Sequence, residues 1–262
     1  MQDAKGAVKS ADRVLDLFEL LDRSPYGLSH TEIADHLRIP KSSLSQLLRN
    51  LVNREYVAFD PAAKAYQLGR RLNELAQREG RTRDLSALAQ PILERLTKET
   101  RESSFLNVRD GDTARLVARE IGPQALVTVL QVGELMPLHA TAAGRAILAF
   151  SDPQARAEYI AAAKFDVLTS KSVQTASELV KRLDEIERER ICVAEDELIL
   201  GVTGISAPVI DETGQAIASL TLSLPSVRFD STVRREMAAA LTRESRALAS
   251  QVLTNRGRPD GR

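Results

Sequence analysis

Apolar residues recur at helical spacing near the start of the chain: Val14, Leu15, Leu17, Phe18 and Leu21 follow Ser10, and the pattern stops at Ser24, Pro25 and Gly27. Ser29, with Glu32 three residues on, has the form of a capping box and opens a short helix with Ile33, Ala34 and Leu37 inward. Arg38, Ile39 and Pro40 make a tight break. A third helix follows from about Lys41, with Leu44, Leu47, Leu48 and Leu51 on its buried stripe. Beyond Asn53 the period changes: Tyr56 to Phe59 and Ala65 to Leu68 flank a turn at Asp60 to Ala63 and read as a two-stranded hairpin. Two short helices joined by a tight turn and followed by such a hairpin predict a winged helix-turn-helix.

Arg71 to Thr100 is helical in pattern, with breaks expected at Gly80 and Pro91. Strands are predicted at Phe105 to Val108 and Arg115 to Ala118 around the turn at 110–112, and again at Leu126 to Val132. An Ala-rich helix at Thr141 to Phe150, helices near 153–163 and 177–189 and a strand at Ile191 to Ala194 follow. A third hairpin, Gly204 to Ile210 with Ala216 to Leu224, and a long helix from Asp230 to Leu253 close the pattern. Antiparallel strands in blocks with helices between them indicate an α+β fold.

The chain has 262 residues, 43% hydrophobic and 27% charged, enough for two domains with a sizeable core. The single cysteine, Cys192, excludes an intramolecular disulfide, and no apolar run approaches the roughly 18 residues that span a bilayer. With no signal-peptide pattern at the start, a cytoplasmic, membrane-free protein is expected. The formal charge is zero but uneven: residues 38–71 hold seven basic and two acidic residues. On its own that segment reads equally as a solvated face or a polyanion site.

The predicted fold decides between them. The outward face of the third helix carries Lys41, Ser42, Ser43, Ser45, Gln46 and Arg49, types that bond phosphates and base edges, with no acidic residue among them. With Lys64 in the hairpin these are the candidate DNA-binding residues, although winged helices also serve as protein-protein modules. Catalytic chemistry finds no support. His30, His36 and His139 are the only histidines and form no metal-binding cluster, so neither metal nor cofactor is expected. Cys192, between Ile191 and Val193, reads as a buried inert thiol. His139 is either a ligand donor or a residue satisfied at a strand-to-helix junction. Thr141 to Gly144 opens a helix with small side chains that leave its amides accessible to an anion. Thr221 and Ser223 share one face of an apolar strand and meet either solvent or a ligand.

The runs TEIADHL at 31–37, IPKSSLSQLL at 39–48 and YQLGRRL at 66–72 resemble the DNA-binding domain of IclR-family bacterial transcription regulators. PLHATAAGRAILA at 137–149, EDE at 195–197 with Gly201, and ISAPVID at 205–211 resemble the family's effector-binding domain in the same order. The resemblance covers about residues 8–253 and implies a GAF-like sensor fold, dimers pairing into tetramers, and a double-stranded operator as partner. Where the family commonly carries Arg in the recognition helix, this chain has Gln46. The family's effector pocket falls on Met136, Ala142, Ala143, Ala194, Pro208, Thr221 and Ser223, with Gly144 at the helix start. Members that bind small keto acids can carry Asp and Cys where this chain has Ala194 and Pro208, so the resemblance implies a less polar pocket that favours a larger or aromatic carboxylate.

The expected organisation is a winged helix-turn-helix at 9–71, a linker helix at 72–90, an effector-binding domain at 91–253 and a disordered tail at 254–262. The expected function is a sequence-specific DNA-binding regulator, a repressor, whose DNA affinity is modulated by a small organic acid. The alternative is a cytosolic enzyme with a regulatory N-terminal appendage.

Overall fold

The computed structural model describes residues 9–124 and 130–256, which divide into two compact units at Arg81 and Thr82. In the first unit α1 (Lys9–Asp22), α2 (His30–Leu37) and α3 (Lys41–Asn53) precede the antiparallel pair β1 (Val57–Asp60) and β2 (Ala65–Leu68). The capping box forms as expected: Ser29 Oγ accepts the Glu32 amide, and the Glu32 carboxylate accepts the Ser29 amide at 2.7 Å. Those bonds hold the Glu32 carboxyl below its usual pKa. Leu28 and Tyr66 exchange backbone hydrogen bonds in an isolated antiparallel bridge beside the hairpin. Leu17, Leu21, Ile33, Leu44, Leu48 and Val57 are buried together as the core of this unit. They are the residues that the helical and strand periodicities point inward.

α4 spans Arg70–Thr100 as one helix. The breaks expected at Gly80 and Pro91 are absent. Proline removes the hydrogen bond to the carbonyl four residues back, that of Ala87, but both residues are exposed, so the freed carbonyl is open to solvent. Meanwhile Leu85, Ala89, Ile92, Leu93 and Leu96 are buried along one stripe and hold the helix through the break. Gly80 costs only about 1 kcal/mol relative to Ala.

The second unit is built on a six-stranded sheet in the order β5-β4-β3-β8-β7-β6, with every pair antiparallel. Its strands are β3 (Ser103–Asp110), β4 (Thr113–Glu120), β5 (Leu135–Pro137), β6 (Cys192–Glu195), β7 (Val202–Ile210) and β8 (Ala216–Pro225). The strand expected at Leu126 to Val132 lies mostly outside the described residues, and 130–132 form no strand. Alternation splits the sheet into two faces. Leu106, Val108, Ile205, Ala207, Leu220 and Leu222 meet α4 and α8 (Ser231–Arg256) in one apolar core. The opposite face meets α5 (Ala142–Ala149), with α6 (Pro153–Ala162) and α7 (Ala176–Glu189) beyond it. This face is far more polar: Phe105, Asn107, Ser206, Ser219, Thr221 and Ser223 alternate with the apolar set. α8 runs to Arg256, into the segment expected to be a disordered tail; residues 257–262 lie outside the described residues.

Candidate nucleic-acid interface and ligand cavity

The turn Arg38 to Pro40 sets α3 after α2 because Arg38 takes a left-handed conformation, φ 51°, and closes α2 through its amide to Ala34. On α3, Leu44, Leu48 and Leu51 are buried, while Lys41, Ser42, Ser43, Ser45, Gln46 and Arg49 are exposed. Lys64 is exposed in the turn between β1 and β2, itself at φ 53°. Pro40 supplies no side-chain cap to α3, so its first amides, among Lys41 to Ser43, are turned to whatever lies at the positive end of the helix.

Two details refine the charge reading. The ion pairs of this unit, among the described residues, join Arg70 to Glu55 and Glu74, Arg71 to Glu74 and Arg23 to Glu19, and leave out Lys41, Arg49 and Lys64. Arg70 and Arg71 thus add to the formal charge of the segment but are engaged by carboxylates. Ser45 is partly engaged as well: its hydroxyl donates to the Lys41 carbonyl and meets His30 Nε2, each at 2.9 Å. With the serine proton committed, the imidazole is the donor in the second bond.

In the second unit a cavity of about 60 Å³ lies between the polar face of the sheet and the start of α5. A single water needs roughly 10–15 Å³ on this kind of measure, so the space admits a compact organic molecule or several waters. Met136, Ala142, Ala143, Ala194, Thr221 and Ser223, all expected from the sequence, line it. Gly144 and Pro208 do not. Gly144 sits where a Cβ would lie 2.4 Å from the Leu138 carbonyl oxygen, so glycine lets α5 approach the 3-10 turn Leu138–Ala140. Its amide is already taken by the Thr141 hydroxyl at 2.9 Å, which leaves the first-turn amides of Ala142 and Ala143 as the ones without a helical carbonyl. Pro208 faces the same side of β7 as Gly204 but pairs with Ser219, further along the sheet.

Residues not singled out from the sequence complete the wall. Phe105, Asn107, Leu130, Leu198, Ile199 and Val202 also line the cavity. Leu198 and Ile199 belong to the loop between β6 and β7, and that loop is pinned from below. Arg145 of α5 is wholly buried and donates to Glu197 at 2.7 Å, with a longer contact to the Val193 carbonyl. Burial works against the guanidinium charge, but neighbouring Cys192 and Glu197 outweigh it and raise its pKa. Burial in turn pushes the Cys192 thiol up, which keeps it protonated and inert. Ser172 and Thr169 hydroxyls hold the carbonyls of Glu197 and Asp196. The GRA and EDE motifs are therefore the two ends of one buried ion pair, separated by 52 positions in sequence.

His139 is buried. Tyr159 accepts its amide at 3.0 Å, and the same Tyr159 hydroxyl is hydrogen-bonded to the ring Nδ1 at 2.7 Å. Burial, then the Arg145 charge, hold its pKa below the usual value, with Asp166 opposing them. It is a satisfied structural residue.

Residues 79–250 match the family described as bacterial transcriptional regulator IclR C-terminal, and residues 10–61 match the IclR helix-turn-helix domain. The chain belongs to the IclR family. Among its relatives, the HTH-type transcriptional regulator KdgR of Dickeya chrysanthemi is 26% identical over 93% of this chain and 80% of its own length. The Pca regulon regulatory protein of Pseudomonas putida is 26% identical over 82% and 73%. The IclR structure from Thermotoga maritima superposes with a TM-score of 0.64 at 21% identity, covering 93% of this chain and 98% of that one. An IclR homologue from Microbacterium hydrocarbonoxydans, solved with 4-hydroxybenzoate, gives 0.62 at 21% identity, covering 94% and 99%. This IclR-type chain is a DNA-binding transcription regulator and not an enzyme. Among its described residues no helix is long and apolar enough to cross a membrane, and no group of His, Cys, Asp or Glu is placed to hold a metal.

Proposed function

We propose that this regulator binds a specific double-stranded operator through the exposed face of α3 and the turn at Lys64, acts as a repressor, and responds to a small organic carboxylate held in the cavity of its second unit. The observation that carries this reading is the cavity itself: a partly open space lined mainly by apolar side chains, in which the start of α5 supplies helix amides and β8 presents Ser223. A carboxylate suits the positive end of a helix, and the apolar walls made by Phe105, Met136, Ala194, Leu198 and Ile199 suit a compact hydrophobic or aromatic body. The homologue that binds 4-hydroxybenzoate supports an aromatic acid for this chain. A homodimer, assembling into a homotetramer, would read two half-sites related by a dyad, spaced near a whole number of helical turns. The domain scheme that fits best is a DNA-binding unit at 9–71, a linker helix at 72–90 and an effector unit at 91–253. The cytoplasm is the compartment in which such a regulator works.

The test is calorimetric titration of the full chain with benzoates and, separately, with pyruvate and glyoxylate, alongside DNA titration in the presence of each. An aromatic acid that binds and weakens DNA affinity supports the reading. Binding of the keto acids alone refutes the aromatic preference, and binding without any effect on DNA refutes the regulatory link, because an effector can shift an equilibrium only by its differential affinity for the two states.

A further inference from the structure

The polar face of the sheet contains a chain of hydrogen bonds whose direction is set by one backbone carbonyl. The Leu220 carbonyl can only accept, so Ser206 Oγ donates to it at 3.0 Å. With that proton used, Ser206 accepts from the Thr221 hydroxyl at 2.9 Å, and Thr221 accepts from Asn107 Nδ2 at 3.3 Å. The amide of Asn107 is thereby oriented, and its Oδ1 is left as an acceptor with no partner. Asn107 is 2% exposed and lines the cavity. Ser219, directly opposite it across β3 and β8, is fully buried, and its hydroxyl also has no partner. Of the two, only Asn107 lines the cavity, and an unpartnered acceptor there is costly because a buried group that lacks a partner forfeits its full desolvation energy.

We infer that Asn107 is the specificity-determining residue of the cavity and that it reads a hydroxyl group on the effector, which is therefore a hydroxylated acid. A hydroxyl fits Asn107: its proton goes to Oδ1, the acceptor left over on a side chain that lines the cavity. An ether or ketone oxygen offers no proton to Asn107, and a methyl leaves it unsatisfied. A site built to bond a substrate hydroxyl rejects the analogue that lacks it far more strongly than an apolar site does, because the buried groups then stay unpaired. This inference rests on the cavity being the effector site.

Calorimetry on the full chain separates the two. The probes are benzoate against its three monohydroxy isomers, and butyrate against its 2-, 3- and 4-hydroxy derivatives. At least one hydroxy acid should bind about tenfold or more tightly than its parent, the span of a hydrogen bond to a buried group. In Asn107→Ala, or in the near-isosteric Asn107→Leu should the first fail to fold, the ratio of hydroxy acid to parent should fall to about twofold. If every hydroxy acid binds the native protein like its parent, Asn107 does not read a hydroxyl, although the effector cavity stands. A preference that survives the Asn107 variants means the hydroxyl is read elsewhere. If none of the acids binds, the carboxylate reading of the cavity fails and takes this inference with it.

Discussion

Replacing Glu197 with Ala should destabilise the second unit severely, and removing Arg145 as well should restore much of the loss. At 2.7 Å and an effective dielectric of about 20, the attraction between the two charges is about 6 kcal/mol, offset by several kcal/mol of desolvation for each ion. The pair as a whole is therefore close to neutral. The single variant is a different matter, because it leaves a guanidinium with 0% of its side chain exposed and no counter-charge, at a cost of about 3–5 kcal/mol. For a unit of this size each kcal/mol lowers Tm by about 2–4 °C, so the expected drop is about 6–20 °C. The assay is thermal and urea unfolding of the native protein, Glu197→Ala, Arg145→Leu and the double variant, read as a double-mutant cycle. Because Glu197 also anchors the loop carrying Leu198 and Ile199, ligand affinity should fall in the single variant as the wall of the cavity loosens. A Glu197→Ala cost below about 1 kcal/mol, or a double variant that merely sums the singles, would refute the placement of a buried charge pair beneath the cavity.

Gln46→Ala should cost about 1–3 kcal/mol at one base pair per half-site and relax preference there, since Gln pairs with adenine through two bonds; Lys41→Ala should weaken all duplexes alike and reduce the salt slope by about one, both read by anisotropy titration. Stability should decline as pH falls below 6.5, the ordinary value for His139: above it the imidazole is neutral in both states, and below it the unfolded chain takes up a proton that the buried ring resists, because its folded pKa is depressed. Unfolding curves from pH 8 to 5 should show that decline, and a His139→Gln variant with an unchanged decline would contradict it. Gly144→Ala should cost about 1–3 kcal/mol by forcing α5 away from Leu138, and an unchanged Tm would mean that the backbone leaves room for the added methyl.

Which parts of this molecule were legible in the sequence follows from how local each signal is. The capping box at Ser29 and Glu32, the turn at Arg38 to Pro40 and the turns of the three hairpins each lie within a few residues, and all of them form. Gly80 and Pro91 misled because breaker residues report a local preference, whereas the stripe from Leu85 to Leu96 is held by burial against the sheet. The same distinction runs through the cavity. Met136, Ala142, Ala143, Ala194, Thr221 and Ser223 were readable from motif resemblance, but Asn107 was not, because its importance lies in a hydrogen-bond chain that crosses β3, β8 and β7. Ser45 was assigned outward correctly by helical phase, yet phase says nothing of a proton already given to the Lys41 carbonyl.

The most direct test of the central claim is selection of duplexes from a random pool by the full chain, followed by titration of the winning sequence against a scrambled duplex of equal length, for the native protein and for the Lys41, Gln46 and Arg49 triple alanine variant. The account predicts a dyad-related site bound at least about a thousandfold more tightly than the scrambled control, with affinity falling steeply with salt. It predicts that this preference disappears in the triple variant while its unfolding curve is unchanged. A native protein that enriches no sequence, or a triple variant that keeps full specificity, would show that the exposed face of α3 does not read DNA.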